Sequence, residues 1–188
     1  MAFSSVSSML DACKQSGRPL YEVILESDLA ESGLTRAESE AEMHRLWGVI
    51  CATSAGYCGA DRSMSGYAGG DAAKVAQAAG EGRLYADGYF AEVMAEALKT
   101  AECNACMKRI VAAPTAGSCG VLPAVLLPLF RAGRADEDAV CRALYVAAGF
   151  GQVVAARATL AGAEGGCQAE VGAASAMAAA ALTVLKNG

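Results

Sequence analysis

Residues 161–172, Ala161-Gly162-Ala163-Glu164-Gly165-Gly166-Cys167-Gln168-Ala169-Glu170-Val171-Gly172, form a glycine-rich stretch that presents one cysteine. Gly165 and Gly166 allow positive φ angles and the close approach of another group. Residues 173–185 follow with strong helix formers and no proline, so we expect a helix there. Cys167 and nearby backbone N–H groups would then lie at the positive end of a helix dipole, which suits a thiolate, a metal cluster or a substrate carboxylate. The alternative is a closely packed helix start in which Cys167 is a small buried hydrophobic residue.

A second stretch has the same construction. Residues 114–120, Pro114-Thr115-Ala116-Gly117-Ser118-Cys119-Gly120, lead into the apolar run 121–130. A turn of small residues again carries hydroxyl groups and a cysteine to the start of a predicted helix. The two turns together could form opposite walls of a pocket.

These stretches and their flanks resemble the alpha chain of the iron–sulfur-dependent L-serine dehydratases, also called L-serine ammonia-lyases. The matching segments are residues 104–120 (NACMKRIVAAPTAGSCG), 161–172 (AGAEGGCQAEVG), 63–74 (SMSGYAGGDAAK) and 17–22 (GRPLYE). The resemblance covers nearly the whole chain, and its two long motifs are far more specific than a bare CxxC.

Length and composition predict an all-α protein. The chain has 188 residues, of which 54% are hydrophobic and only 6% aromatic, so its core is built mainly from Ala, Val and Leu. Small side chains allow helices to approach closely. We therefore expect one domain over residues 1–188, a compact bundle of about seven to eight helices with glycine-rich loops at helix N-termini.

Charge and hydropathy exclude several classes of partner. A net charge of −5 and a pI near 4.9 argue against nucleic acid. The N-terminus shows no signal-peptide pattern, and the apolar runs look too short and too rich in Ala and Gly to span a bilayer. We expect a cytoplasmic protein without a membrane partner. Its eight cysteines would then be reduced, with one or more reserved for metal.

Residues 57–71 interrupt the helical periodicity with glycines and hydroxyl residues. A loop of this composition inside a compact domain is typical of a functional segment. It could close over an amino-acid zwitterion, with hydroxyl and N–H groups on the carboxylate and Asp71 on the ammonium. The alternative is a plain connection in which Asp71 caps a helix over 72–79. The candidate substrate-binding residues of the loop and of the second turn are Ser63, Ser65, Gly66, Gly70, Asp71, Thr115, Ala116, Gly117 and Ser118.

Residues 88–112 are predicted to form the longest helix. Its expected apolar stripe consists of Phe90, Val93, Met94, Ala97, Leu98 and Ala101. The helix carries Cys103 and Cys106 as a CxxC pair. A zinc or redox site is one interpretation, but no second CxxC or nearby histidine accompanies the pair, so we favour mid-helix thiols in a small-residue core.

The resemblance implies L-serine deamination to pyruvate and ammonium, by β-elimination of water, in amino-acid degradation and gluconeogenesis. It implies a 4Fe–4S cluster as the Lewis acid, with Cys167 matching the first cluster ligand of the family; Cys119 also matches a family position but is not assigned as a ligand. The catalytic base is unknown, and the candidates are Glu170, Glu164 and Lys108. Lys108 stands where the family pattern has glycine, and Ala161 where serine is usual. The implied partners are L-serine and a serine dehydratase beta chain, and a homo-oligomer is left open.

The chain departs from the family pattern at its end. The family continues to a region of the type Asp-Pro-Val-x-Gly-Leu-Val-x-x-Pro-Cys, which supplies the other cluster cysteines, whereas this sequence stops at Gly188. A cluster needs about three protein thiolates. We expect a truncated chain or the product of a split gene. Three alternatives stand beside the lyase: a cysteine desulfidase on the same fold, a non-catalytic helical fragment or assembly module, and a zinc or redox protein using Cys103 and Cys106.

Overall fold

The computed structural model describes residues 3–86 and 88–188 and confirms the all-α prediction. No strand is present in those two ranges, and eight of the helices in them have ten or more residues. The helices are α1 (Val6–Ser16), α2 (Leu20–Ser32), α3 (Arg36–Ala55), α4 (Asp71–Gly80), α5 (Gly88–Ala105), α6 (Val121–Arg131), α7 (Glu137–Arg157), α8 (Gly162–Gly165) and α9 (Ala173–Val184).

Local capping signals in the sequence fix several helix ends. Gly17 and Gly33 end α1 and α2 with positive φ angles of 67° and 71°, which glycine adopts without strain. Thr35 and Glu38 form a reciprocal capping box before α3, because each side chain accepts a hydrogen bond from the backbone N–H of the other residue. Asp136 caps α7 by accepting from the N–H of Ala139 at 2.7 Å.

The chain divides into two compact units. The first consists of Met1–Leu46 and Asp136–Gly188, and the second of Trp47–Ala135. Helix α3 begins in the first unit and ends in the second.

The first unit is built around α7, where glycines allow close contacts. A Cβ atom added to Gly149 would lie 2.6 Å from Cδ1 of Ile24, and one added to Gly151 would lie 2.9 Å from Sδ of Met177. These positions therefore let α2 and α9 approach α7 closely. The buried cluster of this unit consists of Met9, Ile24, Val146, Val153 and Ala180.

Helix α7 is 21 residues long and apolar enough, by length and composition, to cross a membrane. The expectation that every apolar run is too short is therefore wrong for this helix. However, 56% of its most apolar window is buried inside the protein. Its apolar composition is accounted for by core packing, so it is weak evidence for a membrane span.

The second unit is built around α6, whose Leu122, Leu126 and Leu127 are buried. Trp47 at the start of this unit packs edge-on against Phe130, with ring centroids 5.4 Å apart. Gly120 permits close packing on α5, since an added Cβ would lie 2.7 Å from the carbonyl oxygen of Ala97.

Helix α5 differs from its prediction in length. It ends at Ala105 rather than at residue 112, and α7 is longer by three residues. Met107 takes a positive φ of 59°, and the N–H of Lys108 then bonds back to the carbonyl of Cys103 at 2.9 Å. This left-handed residue terminates the helix. Cys106 therefore lies just beyond the helix and is not a mid-helix thiol.

The buried face of α5 also differs from its prediction. Phe90 and Met94 of the predicted stripe are 68% and 45% exposed. The face that packs inward combines small residues with hydrogen-bonded polar side chains: Ala91, Ala95, Glu96, Thr100, Glu102 and Cys103. Apolar periodicity fails here because two carboxylates with internal partners occupy the inner face.

Candidate functional site

The loop between α3 and α4, residues 56–70, is fixed by the buried carboxylate of Glu102. Oε2 of Glu102 accepts from the Tyr57 hydroxyl at 2.5 Å and from the N–H of Gly70 at 2.9 Å. Oε1 accepts from the N–H groups of Asp71 and Ala72, at 2.7 and 3.1 Å. One side chain from α5 therefore satisfies three N–H groups at the start of α4, where a negative charge is favoured.

The plain-connection alternative expects Asp71 to cap α4. This expectation is wrong, because Glu102 supplies the cap. The Asp71 carboxylate instead pairs with Nζ of Lys74 at 2.8 Å on the protein surface. The physical reason is that Glu102 already occupies the position that a capping side chain would fill. The N–H of Gly70, a predicted substrate-binding residue, is engaged by the same carboxylate.

Tyr57 remains a hydrogen-bond donor over a wide pH range. Burial and the neighbouring Glu102 carboxylate raise the pKa of Tyr57 to about 12. Its hydroxyl oxygen also accepts from the N–H of Ala73 at 3.3 Å. Tyr57 thus connects the start of the loop to the first turn of α4.

The tip of the loop is a tight turn that presents exposed groups. The N–H of Ala68 donates to Ser63 Oγ at 3.1 Å, and the Ser63 and Ser65 hydroxyl oxygens lie 3.1 Å apart. Ser65 and Gly66 are exposed, while Ser63 is half-buried. Gly69 has a φ of 128°, and a Cβ there would collide with the carbonyl of Asp61, so this position requires glycine. The predicted loop residues therefore form one preorganised segment.

The second predicted segment is a short 3₁₀ turn, Ala116–Ser118. The amide of Asn104, on the last turn of α5, donates to the Ala116 carbonyl at 3.0 Å. Ser118 is buried and its Oγ lies 3.2 Å from that of Thr115. Ala116 and Gly117 are exposed, and Thr115 is half-buried. The structure thus brings the loop and the turn to the same end of α5, attached through Glu102 and Asn104.

Lys108 is held as a cation beside the loop. It forms an ion pair with Asp61, and its Nζ also donates to the Gly56 carbonyl at 3.4 Å. The hydrogen bond with Asp61 raises the pKa of Lys108, although burial opposes the shift. A neutral Lys108 is disfavoured by this partner, which counts against it as a general base.

The Cys167 turn belongs to the first unit and presents an exposed thiol. Gly166 has the expected positive φ of 69°, whereas Gly165 is needed for close approach, since an added Cβ would lie 2.7 Å from that of Ala169. A π-helical turn, Gln168–Gly172, then leads directly into α9 as predicted. The alternative of a buried Cys167 is wrong, because the turn projects its side chain into solvent.

Two candidate bases lie in the same turn. Glu164 accepts a hydrogen bond from the Thr159 hydroxyl at 2.7 Å and so stabilises the turn. The Glu170 carboxylate lies against Gly162, where an added Cβ would be 2.8 Å from its Oε2. Its side chain accepts no hydrogen bond from the described part of the chain. Glu170 is therefore the less engaged of the two.

The described residues do not by themselves fit an iron–sulfur cluster. Nowhere in residues 3–86 and 88–188 do three or more His, Cys, Asp or Glu side chains form a group that could hold a metal ion. Cys167 is one exposed thiol, whereas a cluster needs about three thiolates. Cys119 is buried, and burial raises the pKa of its thiol, which suits a structural cysteine. Cys103 and Cys106 belong to no such group either, so nothing in the geometry favours a zinc site there.

Three residues that hold the site were missed by sequence reasoning: Tyr57, Glu102 and Asn104. The available signal was Glu102 itself, an acidic residue one position before the CxxC pair, on a helix face that combines small residues with Glu96 and Thr100. Its partners lie some 30 to 45 positions away in sequence, which no local pattern reveals.

These features define a class: an all-α protein in which a glycine-rich loop and a hydroxyl-bearing turn are fixed to one helix end, with a separate cysteine-bearing glycine turn. The family described as serine dehydratase alpha chain matches residues 15–188. The chain belongs to this family.

Individual relatives agree over nearly the whole chain. The L-serine dehydratase alpha chain of Peptoniphilus asaccharolyticus is 36% identical over 186 residues, which are 98% of this chain and 64% of that protein. The "Probable L-serine dehydratase, alpha chain" of Bacillus subtilis (strain 168) is 34% identical over 187 residues, 99% of this chain and 62% of that protein. L-serine dehydratase TdcG of Escherichia coli (strain K12) is 31% identical over 198 residues, 99% of this chain and 42% of that protein. The chain thus spans less than two thirds of the length of these relatives. No solved structure matches the chain.

Proposed function

We propose that this chain is an L-serine dehydratase alpha chain, which takes part in converting L-serine to pyruvate and ammonium by β-elimination of water. The observation that carries the proposal is the family match over residues 15–188. The placement of both predicted substrate-binding segments at one end of α5 supports it.

In this proposal the exposed groups of the loop and the turn bind serine. Ser63 and Ser65 offer hydroxyl groups, and Gly117 offers backbone next to solvent. Such donors suit the substrate carboxylate. Gly66 shapes the tip with a φ of 77°, because its N–H already donates to the Ser63 carbonyl at 2.8 Å. Asp71, whose surface ion pair with Lys74 costs little to break, is suited to the substrate ammonium.

The remaining substrate-binding candidates shape these segments. Gly70 contributes a φ of 86° that a side chain would strain, and its N–H is held by Glu102. Thr115, Ala116 and Ser118 form the turn that Asn104 attaches to α5.

We further propose a 4Fe–4S cluster, inferred from the family, with Cys167 as one ligand and the others supplied from outside the described residues. When bound, such a cluster would act as a Lewis acid on the substrate oxygens. Glu170 is the candidate base whose carboxylate accepts no hydrogen bond from residues 3–86 and 88–188. We propose a cytoplasmic location and assembly with a serine dehydratase beta chain.

The proposal is tested by anaerobic reconstitution with iron and sulfide, comparing wild type with Cys167→Ala. Bound iron per chain and visible absorbance are measured with and without L-serine, followed by pyruvate formed from L-serine and sulfide formed from L-cysteine. The same assays are repeated after addition of a family beta chain.

Iron binding that is lost in Cys167→Ala, together with pyruvate formation from L-serine, supports the dehydratase. Sulfide release from cysteine without pyruvate from serine would assign a desulfidase instead. Absence of iron binding and of both products, even with the beta chain present, would leave a non-catalytic helical module and refute the proposal.

A further inference from the structure

We propose that Glu102 is a positioning residue that holds together the two ends of the loop, residues 56–70, and keeps the loop in its binding conformation. The inference deepens the proposed function, since it rests on serine binding to this loop. Its structural basis is that both ends of the loop meet at one atom. Tyr57, the second residue of the loop, and Gly70, the last, donate to the same Oε2 of Glu102.

This arrangement fixes the two loop ends, while the ion pair between Asp61 and Lys108 holds a separate point inside the loop. Holding the ends of a flexible segment together removes most of its conformational freedom. The tip at Ser65 and Gly66 is exposed, so its position relative to α4 depends on how the loop is attached on either side, and Glu102 supplies that attachment at both ends. Loss of the attachment is therefore expected to loosen the tip even where the helices remain intact.

Only a carboxylate suits this position. Each oxygen of Glu102 accepts two hydrogen bonds, so four donors converge on one side chain. A glutamine has one acceptor oxygen, and its NH₂ group would face N–H donors. Because Glu102 is 7% exposed and its oxygens are fully engaged, it has no free lone pair with which to abstract a substrate proton. Its role is positional rather than that of a catalytic base.

The same helix end also sets the second segment. Asn104 lies two residues after Glu102 and donates to the Ala116 carbonyl at 3.0 Å. The loop and the turn are thus attached to the last turn of α5, at positions two residues apart. A change at Glu102 should disturb the loop but leave the hydrogen bond between Asn104 and Ala116 in place. The contribution of the loop can therefore be measured separately from that of the turn.

The test measures amide hydrogen exchange at Gly70, Asp71 and Ala72, whose N–H groups donate to Glu102. In Glu102→Gln we expect exchange to accelerate about tenfold to a hundredfold, since bonds to a charged acceptor are lost. Tyr57→Phe should accelerate it about fivefold, because one bond of the four is removed. Glu102→Asp retains the carboxylate and should fall between wild type and Glu102→Gln.

A matched control is available on the same helix. Glu96 is also a buried carboxylate of α5, but it bonds Ser54, Lys99 and Arg131 and not the loop. Glu96→Gln should lower global stability without a selective rise in exchange at residues 70–72 relative to the amides of α6. Equal acceleration in Glu96→Gln and Glu102→Gln would overturn the inference, because the effect would then be global.

Turnover of L-serine supplies the second readout. Glu102→Gln should raise KM about tenfold with kcat changed by less than about threefold, and Glu102→Asp should restore part of the affinity. An unchanged KM alongside accelerated exchange would refute the positioning role. If wild type shows no serine turnover even after reconstitution with iron, sulfide and a family beta chain, the proposed function fails, while the exchange measurements still decide whether Glu102 holds the loop.

Discussion

Replacing Glu96 should reveal how the second unit holds its helices together. The Glu96 carboxylate is 3% exposed, and its Oε1 accepts from Nζ of Lys99 and Nη1 of Arg131, each at 2.6 Å. Its Oε2 accepts from the Ser54 hydroxyl, whose oxygen in turn accepts from Nη2 of Arg131 at 2.7 Å. The four side chains connect α3, α5 and α6.

The loss of stability on replacing Glu96 depends on whether Lys99 and Arg131 can become hydrated again. Removing one member of a buried ion pair typically costs about 3–5 kcal/mol. Lys99 and Arg131 are 22% and 43% exposed, so both can rehydrate and the cost falls at the low end. We expect Glu96→Ala to lower the free energy of unfolding by about 3 kcal/mol and Glu96→Gln by about 2 kcal/mol. Urea unfolding at neutral pH measures both values, and a loss below about 1 kcal/mol for either variant would refute the reasoning.

The same cluster predicts a pH dependence. Burial disfavours the charged form, but the hydrogen bonds from Lys99, Ser54 and Arg131 outweigh it and lower the pKa of Glu96. A carboxyl group whose pKa is lowered in the folded state stabilises the fold at pH values above its ordinary pKa of 4.5. This stabilisation is lost as the pH falls through the folded-state pKa. In Glu96→Gln the free energy of unfolding should therefore fall less steeply than in wild type as the pH is lowered below 4.5. The same slope in both proteins would show that Glu96 does not titrate as argued.

Three further outcomes are expected. Gly48 lies in open space within α3, so Gly48→Ala should raise the free energy of unfolding by about 1 kcal/mol in urea titrations. A Cβ at Gly120 would lie 2.7 Å from a backbone oxygen, so Gly120→Ala should lower the free energy of unfolding by about 1–3 kcal/mol. A change of the same sign in both variants would contradict this description of the packing. The stabilisation from Tyr57, whose pKa is raised from 10.0 to about 12, should be fully present below pH 10 and disappear as pH rises to 12, and Tyr57→Phe should lack this loss when unfolding is followed at alkaline pH. Iodoacetamide should alkylate exposed Cys167 much faster than buried Cys119 in the native protein, with equal rates in urea as the control.

Helix positions were predictable where the determining residues are close in sequence. A glycine after the last turn, a Thr-x-x-Glu box or an aspartate before the first turn satisfies helix ends within four residues. The stops at Gly17 and Gly33 and the starts near Thr35 and Asp136 follow such rules. The glycine-rich turn at Cys167 was likewise predictable, because its backbone geometry and the following helix are both local.

The errors concern residues whose partners are distant in sequence. The stripe predicted for α5 assumed that apolar residues face inward, yet Glu96 and Glu102 face inward because Ser54, Arg131 and Tyr57 supply their hydrogen bonds. The early end of the same helix depends on Met107, a residue type that rarely adopts a positive φ. Neither partner identity nor an unusual backbone angle can be read from hydrophobic periodicity.

The Glu102 contacts also change where a substrate carboxylate could bind. Sequence patterns favour the start of α4 for an anion, because a glycine-rich loop there exposes N–H groups at the positive end of a helix. Those N–H groups already donate to Glu102, a negative charge from the protein itself. A second carboxylate at the same place would be repelled and would find no free donors. We therefore infer that any carboxylate recognised by this loop binds at its tip, where Ser63 and Ser65 lie, and that the start of α4 acts as the fixed base of the loop.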